Sequence, residues 1–561
     1  MVAVVVVLCF ACCLASVPAY LLIKAGHITN AAATPGATID PRLATLTVAT
    51  SPEKATLIQG LADQFNAQGQ RTPDGQAEKI AVVTMAPDEM VAEALATPSF
   101  QAMTPDSSLW LDQLNRKWAA SQKVEPGQLP TTLADEPVRY AITPIVIAAW
   151  EDSARSLGWP NQPVGWTSLQ DRARQDPGFK WSHSSTSFAS GLLATLAEFY
   201  AGAGVQRNLT AAQAQDPKTV AFVTAVEKTV HFYGESELDT IKRAAQDGPT
   251  SLNAFVVSEQ LVVAFNTGAF GKTPGRLVAL YPTEGTLWDD HPLALLELPS
   301  VTANQRRTFQ AFRDYLTSKD VQNQILSAGY RPTDLSIPLN GPTSPLTSAN
   351  GVDPTEPQTT LQLPPADVVS VVENVSLLTR RKTNIFLVVD TSGSMQGAKL
   401  DNVKAALKTF VAEIPSDQER VGLVEFNSTV VNVIELKTLA ENRDDLNQSI
   451  DGFEAGGNTA LFDAVATAYD RLQQAGDQER INAIVVMTDG IENASNISLG
   501  QLIDKIQTGN NKLPVVIFTI AYGSDADTGT LKSIAAASGG QERDGTPDNI
   551  RTLYQDLSNY F

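Results

Sequence analysis

Cysteine is nearly missing from this chain of 561 residues: there are 3, and all of them (Cys9, Cys12 and Cys13) fall in the first apolar stretch. The remainder therefore has no disulfide framework and no thiolate zinc site, and its redox compartment stays open. Histidine is almost as scarce, with 4 in the whole chain, which leaves little for a histidine-based mechanism. Positive charge is short too: Lys+Arg 41 against Asp+Glu 61 gives a net charge of −20. A chain that acidic lacks the basic face that nucleic acid requires, and the excess serves to keep an exposed protein soluble. No HExxH, no Ser-His-Asp order with a nucleophile elbow and no GxGxxG or P-loop after a strand is present. These absences point away from an enzyme and from nucleotide binding.

Long apolar runs are also rare, with one exception. Val2 to Ile23 is free of charge. At about 1.5 Å per residue it spans roughly 30 Å, the thickness of a bilayer core. It is long for a signal-peptide core and no clean A-x-A site follows it, so residues 1–24 read as a transmembrane anchor or uncleaved signal. Lys24 after the run, with no basic residue before it, would by itself place the bulk in the cytoplasm. At this length two or more domains are expected. A polar tether, 25–42, precedes a domain over 43–339. A proline-rich linker, 340–365, follows, with Pro342, Pro345, Pro354, Pro357, Pro364 and Pro365; it is expected to be semi-extended and not to pack. A last domain covers 366–561, opened by a short helix over Ala366 to Leu378.

The last domain is organised by Asn384 to Met395, NIFLVVDTSGSM. Ile385 to Val389 is a buried-strand run without alternation, the kind a parallel sheet uses. It ends in Asp390, Ser392 and Ser394, three oxygen donors at alternate positions. Gly456-Gly457-Asn458-Thr459 adds a hydroxyl before a helix over Ala460 to Leu472. A second buried strand, Ile484 to Met487, ends in Thr488-Asp489-Gly490. Oxygen donors suit a hard cation, and the carboxyl edge of an open α/β sheet is where ligands sit. A helix over Gly397 to Ile414, strands over Val421 to Phe426 and Pro514 to Tyr522, an antiparallel edge strand over Val430 to Leu436, and helices over Gly529 to Ala537 and Asp548 to Tyr560 complete a doubly wound pattern. Together these pieces resemble the metal-ion-dependent adhesion site of von Willebrand factor A domains, a Rossmann-like fold. The resemblance implies that Asp390, Ser392, Ser394, Thr459 and Asp489 hold Mg²⁺ (or Mn²⁺ or Ca²⁺), directly or through water, and that a protein partner's Asp or Glu completes the shell.

The middle domain also reads as α/β. Strands are expected at Leu43 to Thr50, Lys79 to Thr84, Ala141 to Trp150 and Leu261 to Phe265, and helices at Ser187 to Gly202 and Gln305 to Ala328. The phrases PDSSLWLDQLN, LGWPNQPVGWTSL, SHSSTSFASGLLATLAEFYAGAG, YPTEGTLWDDHP and AGYRP resemble the two-lobed type II periplasmic-binding-protein fold. More closely, they resemble bacterial extracellular solute-binding domains fused to a von Willebrand factor A domain. That resemblance implies a ligand cleft between two lobes, and it argues for a single-pass membrane protein with its bulk extracytoplasmic.

Hydroxyls in front of helices, at Ser51, Ser107, Ser108, Ser184 and Ser185 with Ser182, Thr186 and Ser187 beside them, would receive a small anionic or polar solute. Glu259 and Glu284 lie within the resembling phrases and join the ligand-binding candidates. His183, with no second histidine near it, reads as a surface or cap residue rather than a metal ligand. The function expected is a membrane-anchored adhesion or binding protein. The alternative is the substrate-binding component of a transport system, with the A domain as its docking module.

Overall fold

A computed structural model describes residues 40–122, 130–234, 236–414, 416–547 and 549–558. The membrane run, with its three cysteines, and nearly all of the tether lie outside these residues. Among the described residues no helix is long and apolar enough to cross a membrane.

Among the described residues three sheets carry the fold. In the first, Lys79–Thr84, Thr45–Thr50 and Ala102–Thr104 run parallel, and Pro292–Leu296 and Ala134–Arg139 close it antiparallel. In the second, Ala141–Trp150 is the spine. It pairs antiparallel with Ala254–Ser258, which in turn pairs parallel with Trp181–Ser184. Leu277–Leu280, Trp288–Asp289 and Arg331–Pro332 add along the same spine. The chain crosses between these two sheets at Tyr140 and again at His291, so each is the floor of one lobe. Ala141–Trp150 is almost wholly buried, which explains why its sequence shows no alternation.

The third sheet runs Val430–Thr438, Arg420–Phe426, Thr383–Asp390, Ile481–Thr488, Val515–Tyr522, Glu542–Gly545. All its pairings are parallel except that of the edge strand Val430–Thr438. The helices Ala398–Glu413, Leu439–Asp451, Leu461–Ala475, Leu499–Asn510, Thr528–Ser538 and Ile550–Ser558 cover it. Every residue of Thr383–Asp390 and Ile481–Thr488 is buried, so the two strands ending in candidate ligands are the core of the sheet.

Several expectations need correction. Leu261 to Phe265 is helical, inside Glu259–Asn266, and the strand is the preceding Ala254–Ser258. A short apolar run buried on every side carries no period by which to tell strand from helix. Gln305 to Ala328 is two helices, Ala303–Leu316 and Lys319–Ser327, parted where Ser318 turns extended. The linker packs: Leu346, Val352 and Leu361 are buried. Leu361 N–H donates to Thr286 O at 2.8 Å, Ala279 N–H to Gly351 O at 2.7 Å, and Arg331 Nη2 to Glu356 O at 2.6 Å. The segment turns repeatedly, with a 3-10 turn at Ser348–Asn350, and meets the second lobe strand-fashion at the bridge of Thr286 with Thr360. Helix Ala366–Thr379 belongs with that lobe as well: Val368, Val369, Val372 and Val375 enter the same apolar cluster as Leu192, Leu196 and Val223.

Candidate functional site

The carboxyl edge of the third sheet gathers side chains from three loops. Asp390 ends its strand fully buried, and Ser392 N–H donates to Asp390 Oδ1 at 2.7 Å. Thr488 Oγ1 donates to Asp390 Oδ2. Ser392 Oγ and Ser394 Oγ stand 3.0 Å apart, and Ser394 Oγ donates to Asp489 Oδ1 at 2.6 Å. Lys399 Nζ pairs with the other oxygen of Asp489.

The loop carrying Thr459 is tied in by its backbone. Gly393 N–H donates to Gly457 O at 3.1 Å and Gly456 N–H to Thr391 O at 2.9 Å. Asn493 Oδ1 accepts from Thr459 N–H at 3.0 Å, fixing Thr459 over Gly490. A Cβ built on Gly490 would lie 2.9 Å from Thr459 Oγ1 and 3.6 Å from Ser394 Oγ. All five predicted donors therefore meet at one edge. Burial, aided by the nearby Asp489 charge and opposed by the bonds from Thr488 and Ser392, pushes the Asp390 carboxyl up to about 6. Two buried carboxylates with three hydroxyls form an all-oxygen donor set that fits a hard divalent cation, and Lys399 holds one edge of it through Asp489. The sequence motif did not reveal Lys399 or Thr488 as parts of this site.

The predicted solute residues fare differently. Ser51 is buried at the turn into Pro52–Lys54, makes no cap bond, and leaves its Oγ without a partner. Ser107 Oγ makes only a 3.5 Å contact with Leu109 N–H, and Ser108 gives its N–H to Asp290 Oδ1 at 2.7 Å without capping its helix. Ser184 and Ser185 do not cap the following helix, which starts at Ala189 behind Phe188. Ser184 Oγ accepts from Ser190 Oγ at 3.4 Å, and Ser185 Oγ donates to Ser187 Oγ at 3.4 Å.

Glu259 is committed elsewhere. It accepts from Arg331 Nε at 2.8 Å and Nη2 at 2.7 Å, and from Tyr281 OH, with 0% exposure. Glu284 packs its carboxylate against Gly165 at the start of helix Trp166–Gln175. Glu259 is thus committed to an internal ion pair, while Glu284 is half-buried beside that helix start. His183 is 1% exposed, so the surface or cap assignment does not hold.

Sequence reasoning missed what lies between the lobes. Lys54 is buried, donates to Pro105 O, and lies 3.4 Å from His291 Nδ1. Around it stand Glu53, Asp106 and Asp289, with Glu237 reaching in from the second lobe. Burial, with Glu53 next in effect, pushes Asp106 up to about 7 and Glu237 up to about 8. Glu53 Oε1, Asp289 Oδ1 and His291 Nε2 are buried without partners. This crevice is rich in acceptors, and an oxyanion would meet carboxyl groups there. A separate cavity of about 600 Å³ opens between the second lobe and the linker, with Trp159, Tyr281, Val352 and Glu356 in its wall. No local sequence signal marks it, because the packed linker builds one side.

Comparison with known proteins agrees with this division. The profile for the bacterial extracellular solute-binding protein family matches residues 46–331, and that for the von Willebrand factor type A domain matches 384–551. The chain belongs to the bacterial extracellular solute-binding protein family and carries a von Willebrand factor type A domain behind it. Inter-alpha-trypsin inhibitor heavy chain H4 of Bos taurus is 25% identical over 191 residues, which are 31% of this chain and 20% of that protein. The chain thus spans about a fifth of that relative. Among solved structures, a von Willebrand factor type A protein from Catenulispora acidiphila is similar at TM-score 0.28 and 19% identity, over 32% of this chain and 42% of that one. A Streptococcus pneumoniae solute-binding protein in complex with the blood group A-trisaccharide is similar at TM-score 0.43 and 13% identity, over 60% and 95%. Both matched families are binding domains, and together they define a binding or docking protein.

Proposed function

We propose that this chain is a membrane-anchored, extracytoplasmic binding protein that grips a protein partner through a divalent cation. Asp390, Ser392, Ser394, Thr459 and Asp489 would hold Mg²⁺, or Mn²⁺ or Ca²⁺ in its place. When bound, the cation offers a Lewis-acid position to a partner's Asp or Glu. The chain's own part is orientation. Thr488 and the Ser392 N–H fix Asp390, Asn493 fixes Thr459, and Lys399 neutralises one edge of Asp489. The observation that carries the reading is the convergence of these five oxygen donors from three separate loops onto one sheet edge.

The solute-binding domain would close on a small polar solute between its lobes. The unpartnered Glu53 Oε1 and Asp289 Oδ1 favour a solute that brings N–H or O–H donors over a bare anion. The anchor, in residues 1–24, would hold both domains at the outer face of the membrane.

The deciding measurement is the thermal midpoint of the full chain in chelator and with added Mg²⁺. A ligand at a hundredfold excess over its Kd adds about 2.7 kcal/mol to the native state. The reading requires a Mg²⁺-dependent rise that Asp390→Ala removes, together with partner binding that disappears in chelator. An equal rise in Asp390→Ala, or partner binding that persists in chelator, would refute it.

A further inference from the structure

The interior of the second lobe holds a polar group that the binding function above does not use. His183 lies on strand Trp181–Ser184, Glu198 on helix Ala189–Ala203, and Glu227 at the end of helix Pro217–Glu227. Their exposures are 1%, 0% and 1%. One ligand-capable atom from each lies within 4.8 Å of the others.

The hydrogen bonding fixes what each atom can offer. His183 Nδ1 is 2.7 Å from Ser184 O. A carbonyl only accepts, so Nδ1 carries a proton, and Nε2 offers either a lone pair (neutral imidazole) or a second N–H (imidazolium). Nε2 faces Glu227 Oε1 at 3.5 Å. Tyr233 OH donates to Glu227 Oε2 at 2.6 Å. His183 Nε2, both oxygens of Glu198 and the hydroxyl of Thr195 are all buried without a hydrogen-bond partner. The imidazole and two carboxylates thus converge in a dry interior, where an uncompensated charge is costly and both Glu198 oxygens are left without a donor among the described residues.

Two other remedies fall short. Arg380 lies over the Tyr233 ring at 5.0 Å, yet its Nε and Nη2 have no partner and neither Glu198 oxygen receives it. Protons on Nε2 and on Glu198 would pair His183 with Glu227 and neutralise Glu198, but they leave the Glu198 carboxyl and the Thr195 hydroxyl buried without a hydrogen-bond partner. Burial, with Glu227 alongside, does push the Glu198 carboxyl well up. Burial would raise Glu227 as well, but His183, Tyr233 and Arg380 outweigh it and hold that group low. Beside His183 and Glu227 is a cavity of about 10 Å³, with Thr195, Tyr233 and the Arg380 side chain also in its wall, room for one atom-sized guest.

We propose that His183, Glu198 and Glu227 form a buried site for a divalent first-row cation, zinc or manganese, separate from the Asp390 site. One nitrogen and two carboxylates are ligands for such ions, whereas Mg²⁺ prefers oxygen and retains water. Two carboxylates and a neutral imidazole balance a 2+ charge, and the Thr195 hydroxyl supplies a further oxygen. The outer partners are already in place: Ser184 O orients the imidazole and Tyr233 OH orients Glu227. Bound there, the ion pins one strand and two helices of the second lobe together, and through Tyr233 it reaches Arg381, where the A domain begins.

The test uses the full chain carrying Asp390→Ala, so that the sheet-edge site contributes nothing. The chelator-stripped protein is dialysed against Zn²⁺ or Mn²⁺ and its metal content read by mass spectrometry. One equivalent per chain is expected, with a rise in the thermal midpoint and an X-ray absorption spectrum showing one nitrogen among oxygen donors. Adding Glu198→Gln, which keeps the side chain's shape, removes the equivalent and the rise; adding His183→Gln does the same. No uptake in the Asp390→Ala protein overturns the proposal without recourse to either further variant. Undiminished uptake after Glu198→Gln in protein with native circular dichroism overturns it as well.

Discussion

The Tyr233 hydroxyl accepts the backbone N–H of Arg381 at 2.8 Å. Since the same hydroxyl donates to Glu227, one oxygen of the second lobe anchors the first residues of the A domain to a buried carboxylate. Arg381 adds a bond from Nη1 to Val230 O at 2.9 Å. The A domain is therefore fixed at its root, with its candidate metal edge at the opposite end of strand Thr383–Asp390.

Tyr233→Phe leaves the Arg381 N–H and Glu227 each one partner short, at little change in volume. A buried polar group left unpaired costs about 1–3 kcal/mol. Denaturant unfolding is expected to show a loss of that size, and hydrogen exchange to quicken at Arg381 while the central strands of the A domain keep their protection. An unchanged midpoint with unchanged exchange would mean that this contact does not hold the domains together.

Gly490 matters for the space it leaves. Gly490→Ala puts a methyl 2.9 Å from Thr459 Oγ1, so Thr459 must shift while the strand behind it remains. The fold is expected to survive and divalent affinity to fall about tenfold, or roughly 1.4 kcal/mol, as read by calorimetric titration. Equal affinity in the variant would remove Thr459 from the proposed donor set.

Glu259 and Arg331 form a buried pair, with exposures of 0% and 5%, and Arg331 also stacks over Trp288 at 5.2 Å. Glu259 stands at the first position of helix Glu259–Asn266, where the helix dipole also favours a carboxylate. Glu259→Gln leaves the guanidinium without its counter-charge, at a cost of about 3–5 kcal/mol. Replacing both partners together, with Glu259→Leu and Arg331→Met, is expected to recover much of that loss in thermal unfolding. A double variant as unstable as the single one would show that the pair contributes more than mutual compensation.

These residues also show how far the sequence could be read. The strands ending at Asp390 and at Thr488-Asp489 were legible because each is a short apolar run that stops at a polar motif, and both facts are local. Leu261 to Phe265 offered the same kind of run without a motif, and burial on every side erased its period. The linker misled because proline density reports backbone stiffness, while packing depends on where Leu346, Val352 and Leu361 find partners. His183 gave no local signal: Glu198 and Glu227 meet it only once a strand and two helices pack. The serines were legible as hydroxyls near turns, but the acids that face Lys54 come from both lobes and converge only in the fold.

That convergence sets a pH dependence. Glu237 is 6% exposed, accepts Ser258 N–H at 2.7 Å and Ser258 Oγ at 3.0 Å, and is pushed from 4.5 up to about 8 by burial first and Glu53 next. Because the folded state holds this proton more tightly than the unfolded chain, the stabilisation is complete below the unfolded value. It fades as pH rises through the folded one. Asp106, pushed up to about 7, acts in the same direction, whereas Lys54, lowered to about 8 by burial, is charged in both states below that pH. His291 and His231, held well below their usual value of 6.5 mainly by burial, act the other way up to that pH, so the thermal midpoint of the wild-type chain is expected to fall between about pH 6.5 and pH 8. Glu237→Gln can keep both Ser258 contacts, its oxygen accepting the N–H and its amide donating to the hydroxyl, and cannot ionise, so its midpoint should change less over the same window. A wild-type midpoint that rises across this range, or a variant that falls as steeply, would mean that Glu237 is not held protonated in the folded crevice.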